Sequence, residues 1–210
     1  MEVNVTTPIY HITHVDNLPS IIESGLLCDR AMAPGTPHHN IAHTDIKLIR
    51  ATTMVPCTPG GTLDQYVPFY FAPRSPMLYT INQGNVPSVT DGQASIVHLV
   101  FEAEVLAGAH EIVFTNGHAI MGLSDFFNDL DDLDQLDWQA INSRRWGTPF
   151  DPTDETKRKK QSEFLVHSVV AWESVQSIGV PSRACGHLVI AALEGQDHKP
   201  PIHVQADWYY

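Results

Sequence analysis

Basic residues are scarce in this chain. Its 210 residues hold 12 Lys and Arg against 24 Asp and Glu, a net charge of −12. Binders that coat nucleic acid regardless of sequence work by neutralising phosphates, so the charge argues against that class, although it does not exclude a local basic channel. Cysteine is scarcer still: Cys28, Cys57 and Cys185 lie far apart with no paired spacing. That argues against a disulfide framework and a cysteine zinc site, and for a reducing compartment, so a cytoplasmic protein is expected. No apolar run reaches the ~18–20 residues of a membrane span. The opening MEVNVTTPIYH lacks the basic and apolar parts of a secretory signal. Also missing are a Gly-x-Gly-x-x-Gly after a strand, a Walker lysine and a Gly-x-Ser-x-Gly elbow. Rossmann dinucleotide binding, P-loop phosphate binding and α/β-hydrolase chemistry are thereby disfavoured.

What is present suits one folded domain over residues 1–210. Apolar residues make up 43% of the chain and charged residues 17%, and a chain of this length buries a core without staples. Residues 9–12 read as a strand. Asp16-Asn17-Leu18-Pro19 opens a helix, with a capping side chain and proline in the first turn, and Gly25 closes it. Residues 31–63 hold loops and one helix within 41–50, the pattern of a lid or binding loop. Strands are expected at 66–71, 96–101 and 112–115, and a helix capped by Ser75 starts at Pro76. Asn116-Gly117 is a turn signal without an obvious strand after it, so no hairpin is expected there. Residues 122–145 read as helical segments, 147–156 as a loop, and 164–170 as the strongest strand. Ser182 caps a helix to Leu193, and 202–208 close the chain as a strand. Strands and helices mix without βαβ alternation, which favours an α+β fold.

Chemistry has few local signatures. Twelve histidines invite a metal, and His38, His39 and His43 are the tightest group. Neither an HExxH helix nor a known zinc spacing accompanies them, so no metal is expected. Glu163 stands just before the apolar run Phe164-Leu165-Val166. It is either an ordinary strand-end glutamate or an acid held by a rigid strand beside mobile loops. The stretch from Pro68 to Tyr79 gathers aromatics, prolines and Arg74. It is either core plus turn or a wall on which a flat ring stacks. Six aspartates between Asp125 and Asp137 precede Arg144, Arg145, Lys157, Arg158, Lys159 and Lys160, half of all the basic residues. These are two solvated surfaces, or else the second guides an anionic strand.

Together these segments resemble the DarT family, the toxin half of the DarTG toxin–antitoxin pair. The likeness rests on Pro8-Ile9-Tyr10-His11-Ile12-Thr13-His14 with Asp16-Asn17-Leu18, and on Val67-Pro68-Phe69-Tyr70-Phe71 with Pro73-Arg74-Ser75-Pro76-Met77-Leu78-Tyr79. It continues through Asn116-Gly117-His118-Ala119, residues 161–166, His198-Lys199-Pro200 and Asp207-Trp208-Tyr209-Tyr210. These fall in family order over nearly the whole chain. The resemblance implies an ADP-ribosyltransferase fold, a split antiparallel sheet with flanking helices and a loop-helix lid. It implies transfer of ADP-ribose from NAD⁺ to a thymidine base in single-stranded DNA. NAD⁺ is then a co-substrate, and no prosthetic group is expected. By position, Glu163 is the catalytic glutamate and Arg50 the functional arginine of the lid (residues 33–55), also serving NAD⁺. His11, Thr13, Asn17 and Tyr70 hold NAD⁺ at its nicotinamide end. Residues 116–160 select the target, with His118 near the base. Arg74, Arg144, Arg145, Lys157 and Lys160 are expected along the DNA. The implied partners are single-stranded DNA, NAD⁺ and a macrodomain antitoxin, DarG, with no membrane; the protein itself is expected to be a monomer. The alternatives are transfer to RNA or nucleic-acid ends, a silent nucleic-acid or NAD-binding module, and a histidine-metal hydrolase.

Overall fold

The alternation of the apolar stretches builds one dominant sheet. The computed structural model describes residues 6–33, 35–36, 38–146, 151 and 153–210. Its strands are β1 (Pro8–His14), β2 (Leu26–Leu27), β3 (Tyr66–Tyr70), β4 (Ile96–Glu102), β5 (Ile112–Thr115), β6 (Phe126–Phe127), β7 (Glu163–His167), β8 (Val169–Val170), β9 (Ser177–Val180) and β10 (Ile202–Val204). Its helices are α1 (Leu18–Ser24), α2 (Thr44–Arg50), α3 (Pro76–Asn82), α4 (Ala103–Ala109), α5 (Trp138–Asn142), α6 (Thr156–Lys159) and α7 (Arg183–Ala192). Among the described residues, eight strands form one sheet in the order β10-β9-β4-β1-β3-β7-β5-β6, and β2 pairs with β8 apart from it. Within the large sheet only β10 and β9 run parallel. This is the expected α+β class.

The sheet is tight on both sides of its middle and loose at it. β1 pairs with β4 from Pro8↔Glu102 to His14↔Ile96, and β3 with β7 from Tyr66↔His167 to Tyr70↔Glu163. Between them, β1 and β3 share one registered pair, Tyr10↔Tyr70. The Pro68 carbonyl accepts from His11 Nδ1 at 2.9 Å, so a side chain stands in for the missing ladder bond. The cleft opens at this split.

Period-two alternation decides what faces the cleft. On β3, Val67 and Phe69 point into the main core while Pro68 and Tyr70 line the cavity. On β7, Phe164 and Val166 point into that core, which leaves Glu163 on the opposite face. The Phe69 ring meets Phe101 edge-on at 5.1 Å and Phe164 at 6.4 Å, and all three are fully buried. Burial of such side chains contributes ~1.5–3 kcal/mol each and fixes the strands that carry the polar groups. At the sheet's other end, Trp208 presses on β9. A Cβ at Gly179 would come within 2.4 Å of its ring, so glycine is required there.

Several sequence expectations need correcting. Residues 122–145 are helical segments only in their later part, a 3₁₀ segment, Leu130–Gln135, and the short α5; ahead of them Phe126–Phe127 form the strand β6. A hairpin does follow Asn116-Gly117. β5 pairs with β6 as Phe114↔Phe127 and Thr115↔Phe126, across a loop too long for a local turn signal. The strand expected over 164–170 breaks at Ser168, whose φ of 73° is left-handed, and its two parts join different sheets. The closing strand ends at Val204, and a 3₁₀ turn, Ala206–Trp208, follows. Neither α4 nor β9 was expected. Of the expected loop at 147–156, residues 147–150 and 152 lie outside the described residues.

Candidate active site

Glu163 is the first residue of β7 and is 5% exposed. An isolated carboxylate so placed would be costly, and here it has partners. Arg50 Nη1 donates to its Oε2 at 2.7 Å, and the backbone N–H of Ala119 donates to its Oε1 at 3.0 Å. His118 Nδ1 lies 3.1 Å from Oε1, close enough for an ion pair when the ring is protonated but not aligned as a hydrogen-bond donor. Burial alone pushes the carboxyl pKa up; Arg50, then His118 and the Ala119 N–H, outweigh it and hold the group at about 2. Glu163 is therefore an ionised carboxylate in a dry seat.

Arg50 approaches from the other wall. It ends α2 and is 7% exposed, and its Nη2 also donates to the Leu63 carbonyl at 3.4 Å. The segment that carries it is fastened mainly by polar contacts. Lys47 Nζ donates to Asp29 at 2.8 Å, and Arg30 grips Asp64 through two N–H groups at 3.1 Å. Asn17 ties the loop to β1: its Oδ1 accepts from the His39 N–H at 2.8 Å, while its Nδ2 donates to the His39 carbonyl at 3.0 Å and to Thr13 Oγ1 at 3.1 Å. Asn17 makes no helix cap, against the sequence expectation, because its amide is spent on the loop.

These groups surround one cavity of about 390 Å³. Glu163, Arg50, His11, Thr13, Asn17, Tyr70 and His118 all line it. His11 donates through Nδ1 to a carbonyl, and burial lowers its pKa, so the ring is neutral with Nε2 left as an acceptor. Tyr70 stands opposite Glu163 in the ladder. Burial, then the neighbouring carboxylate, raises its pKa, so the phenol keeps its proton. The cavity therefore offers a carboxylate, a guanidinium, a neutral imidazole and a phenol. That set suits a ligand with phosphates, ribose hydroxyls and a flat ring.

The basic residues divide. Arg144, Arg145 and Lys157 are exposed. Arg158 pairs with Glu155 at 3.1 Å, and Lys159 with Asp137 at 3.1 Å. Lys160, expected along the DNA, is 5% exposed and donates to the Ile141 carbonyl at 2.9 Å. Desolvation, and then Arg74, lower its pKa to about 8. It braces α5 from within and has no free face for a phosphate. Arg74 lies outside the cavity, with its guanidinium over the Tyr210 ring at 4.3 Å.

Sequence reasoning missed Ala119, Met77 and Thr80 as contributors. The Ala119 N–H has no side-chain signal and is found only through the geometry of the 116–125 loop. Met77 and Thr80 reach the cavity from α3, next to its Ser75 cap. Among the described residues, the histidine and carboxylate atoms close enough to share an ion are those of His14, Asp16 and His39, not those of His38, His39 and His43. His14 Nδ1 is already used there, accepting from the Asp16 N–H at 3.2 Å.

The family model described as "ssDNA thymidine ADP-ribosyltransferase, DarT" matches residues 10–210. A DNA ADP-ribosyl transferase of Thermus sp. (strain 2.9) is 41% identical over 207 residues, 97% of this chain and 96% of that one. The solved structure of the Thermus sp. 2.9 DarT in complex with ADP-ribosylated ssDNA superposes with a TM-score of 0.90, covering 98% of this chain and 97% of that one at 41% identity. Its complex with NAD⁺ gives 0.86 at 40% identity, covering 98% of each chain. A shorter match, 32% identical over 74 residues, reaches a transferase–DNA ADP-ribosyl glycohydrolase fusion protein of Thermosipho africanus; it covers 35% of this chain and 19% of the fusion.

Proposed function

The chain belongs to the DarT family of single-stranded DNA thymidine ADP-ribosyltransferases, and from that premise we propose that Glu163 carries its reaction. The enzyme transfers ADP-ribose from NAD⁺ to thymidine in single-stranded DNA and releases nicotinamide. NAD⁺ is consumed as co-substrate. The observation that carries the catalytic assignment is the seat of Glu163: an ionised carboxylate on a rigid strand, opening on the same cavity as His11, Thr13, Tyr70 and Arg50.

The bond changes assign the roles. The bond between ribose C1′ and the nicotinamide nitrogen breaks, its electron pair leaves with nicotinamide, and positive charge builds at C1′. A fixed carboxylate beside the ribose favours that charge. Thymine N3 then bonds to C1′ and gives up its proton. Paired with Arg50, Glu163 is too weak a base to take it. Arg50 sits on the lid wall, however, and a pyrophosphate in the cleft competes for its guanidinium. Once Arg50 shifts, the strongest influence that lowers the proton affinity of Glu163 is gone, that affinity rises, and the carboxylate becomes a better general base. His118, beside the other carboxylate oxygen, Oε1, is assigned to the incoming base. His11 and Tyr70 hold the nicotinamide end, and Thr13 and Asn17 tie the lid over it.

The activity is that of a toxin, and the partner read for it is a DarG-type macrodomain antitoxin that removes ADP-ribose from DNA. The fused relative, which joins a transferase to a glycohydrolase, supports that pairing. One sheet takes strands from residue 8 to residue 204, which supports a single domain over 1–210. No described helix is long and apolar enough to cross a membrane. We place the enzyme in the cytoplasm, with its DNA substrate, and as a monomer. Mass spectrometry of oligonucleotides incubated with enzyme and NAD⁺ tests the reading. One ADP-ribose on thymidine-containing single-stranded DNA is expected. Addition to RNA alone, strand cleavage, or no product would overturn it.

A further inference from the structure

Three aromatic rings and a guanidinium share one patch beside the cleft. The Tyr79 ring lies 5.2 Å from Trp146 and 5.1 Å from Tyr210, and Trp146 and Tyr210 are 6.3 Å apart, tilted by 35°. The Arg74 guanidinium covers Tyr210 at 4.3 Å. Tyr210 is fixed, since its N–H donates to Gln93 Oε1 at 3.1 Å and its hydroxyl to the Arg74 carbonyl at 3.3 Å. Tyr79 is 39% exposed, on the side of α3 next to the cavity-lining Pro76, Met77 and Thr80. Rings that meet solvent in a tilted cluster offer flat faces and no closed apolar core.

The charge beside these rings is not neutralised by any described acid. Arg74 has no carboxylate partner among the described residues. Its Nη1 donates weakly to the Asp207 carbonyl at 3.4 Å, and its Nε is buried without an acceptor. In a chain with twice as many acidic as basic side chains, this guanidinium is held by ring stacking and keeps its charge for an anion. Arg144 and Arg145 are exposed just before Trp146. The patch also adjoins the catalytic strand, for Arg74 lies near enough to Lys160 to disfavour its ammonium, and Glu163 follows three residues later.

We infer that Tyr79, Trp146 and Tyr210 form a stacking subsite for a base of the DNA strand outside the catalytic cleft, with Arg74, Arg144 and Arg145 on the adjoining phosphates. This rests on the DNA-transfer reading above. Aromatic faces joined to a basic rim are how proteins hold single strands without reading each base edge. The subsite would position the strand so that one thymidine reaches His118 and Glu163.

The test is fluorescence anisotropy with a labelled thymidine-containing oligonucleotide and the full chain. Tyr79→Ala and Trp146→Ala should each raise Kd roughly 5- to 150-fold, the range expected when one base loses its stacking partner, and Trp146→Phe should restore most of it. In an oligonucleotide series with one abasic site per molecule, a single position should reproduce the loss in the wild type. Trp146→Ala should add nothing further at that position, because the two changes remove the same interaction. Kd within twofold of wild type for both alanine variants, or losses that add at every abasic position, would overturn the subsite. Thermal melting checks each fold, and Tyr79→Ala decides the matter if Trp146→Ala fails to fold, since Tyr79 is exposed. Wild-type labelling of DNA with unaffected variant binding sinks only the subsite. Wild-type protein that does not label DNA sinks the reading beneath it.

Discussion

The two walls of the cleft are built by opposite means. On the strand wall, Glu163 and Tyr70 occupy registered positions in a sheet whose neighbours Phe69, Phe164 and Leu165 are fully buried. On the lid wall, α2 leaves Leu48 65% and Ile49 44% exposed and is fastened by Lys47–Asp29 and Arg50–Glu163. Apolar burial fixes the first wall; polar clasps, the part-exposed Lys47–Asp29 and the buried Arg50–Glu163, fix the second. Segments with few buried apolar contacts open at low cost, so the lid wall should give way more readily than the strand wall that carries the acid. The Arg50–Glu163 pair joins the two walls and is the point at which they can be set against each other.

The largest expected effect follows from that asymmetry. Arg50→Ala strands Glu163 on a strand that cannot move, and breaking a buried pair this way costs about 3–5 kcal/mol. Glu163→Gln leaves Arg50 on a segment that can turn to water, so it should cost about 1 kcal/mol. Urea unfolding of both variants measures the difference. Equal losses would mean that the lid is as rigid as the sheet. Next comes acid. Glu163 is held at about 2, below its ordinary 4.5, so its contribution is complete above about pH 4.5 and is lost as pH falls toward 2. Wild type should lose stability over that window faster than Glu163→Gln, as followed by thermal melting; parallel curves would remove the ion pair from the account.

A smaller effect separates strand guidance from chemistry. Replacing Arg144, Arg145 and Lys157 by Gln should lower the log–log salt slope of DNA binding by roughly 0.7 for each phosphate that is no longer neutralised. Arg158 and Lys159 are excluded because their charges are paired, and Lys160 because it is buried. His118→Ala should reduce transfer and leave that slope unchanged. The smallest effect is expected from Lys47→Ala. Its pair with Asp29 is about one-third exposed, so the lid should lose only ~0.2–1 kcal/mol. The KM for NAD⁺ should rise no more than a few-fold. A tenfold rise would show that this clasp governs lid closure.

The same division explains what the sequence made legible. Strands β1, β3, β4 and β5 and the Ser75 and Ser182 caps depend on neighbours a few residues away, and all were expected where they stand. The position of Glu163 at a strand mouth was readable for the same reason. Features set by distant partners were not. Lys160 reads as one more surface cation until the Ile141 carbonyl, 19 residues earlier, is seen to accept a hydrogen bond from it. Asn17 reads as a cap until His39 claims its amide. The hairpin β5–β6 escaped because Asn116-Gly117 opens a ten-residue loop and the partner strand is not next to it, and the break at Ser168 because nothing local forces a serine left-handed. The roles assigned to Arg50 and His118 came from family likeness. Composition and spacing alone did not single out either residue, since one comes from the lid and the other from a loop after β5.

The most direct measurement is a mass-spectrometric time course of ADP-ribose addition to a thymidine-containing oligonucleotide by Glu163→Gln beside wild type, with NAD⁺ in excess and both proteins shown to be folded at the assay temperature. The substitution keeps the size of the side chain and removes both its charge and its capacity as a base. Transfer should fall by about 10²–10⁴-fold or more, the range for losing a positioned base together with charge stabilisation. Transfer by Glu163→Gln at the wild-type rate would contradict the account and place the chemistry on another residue.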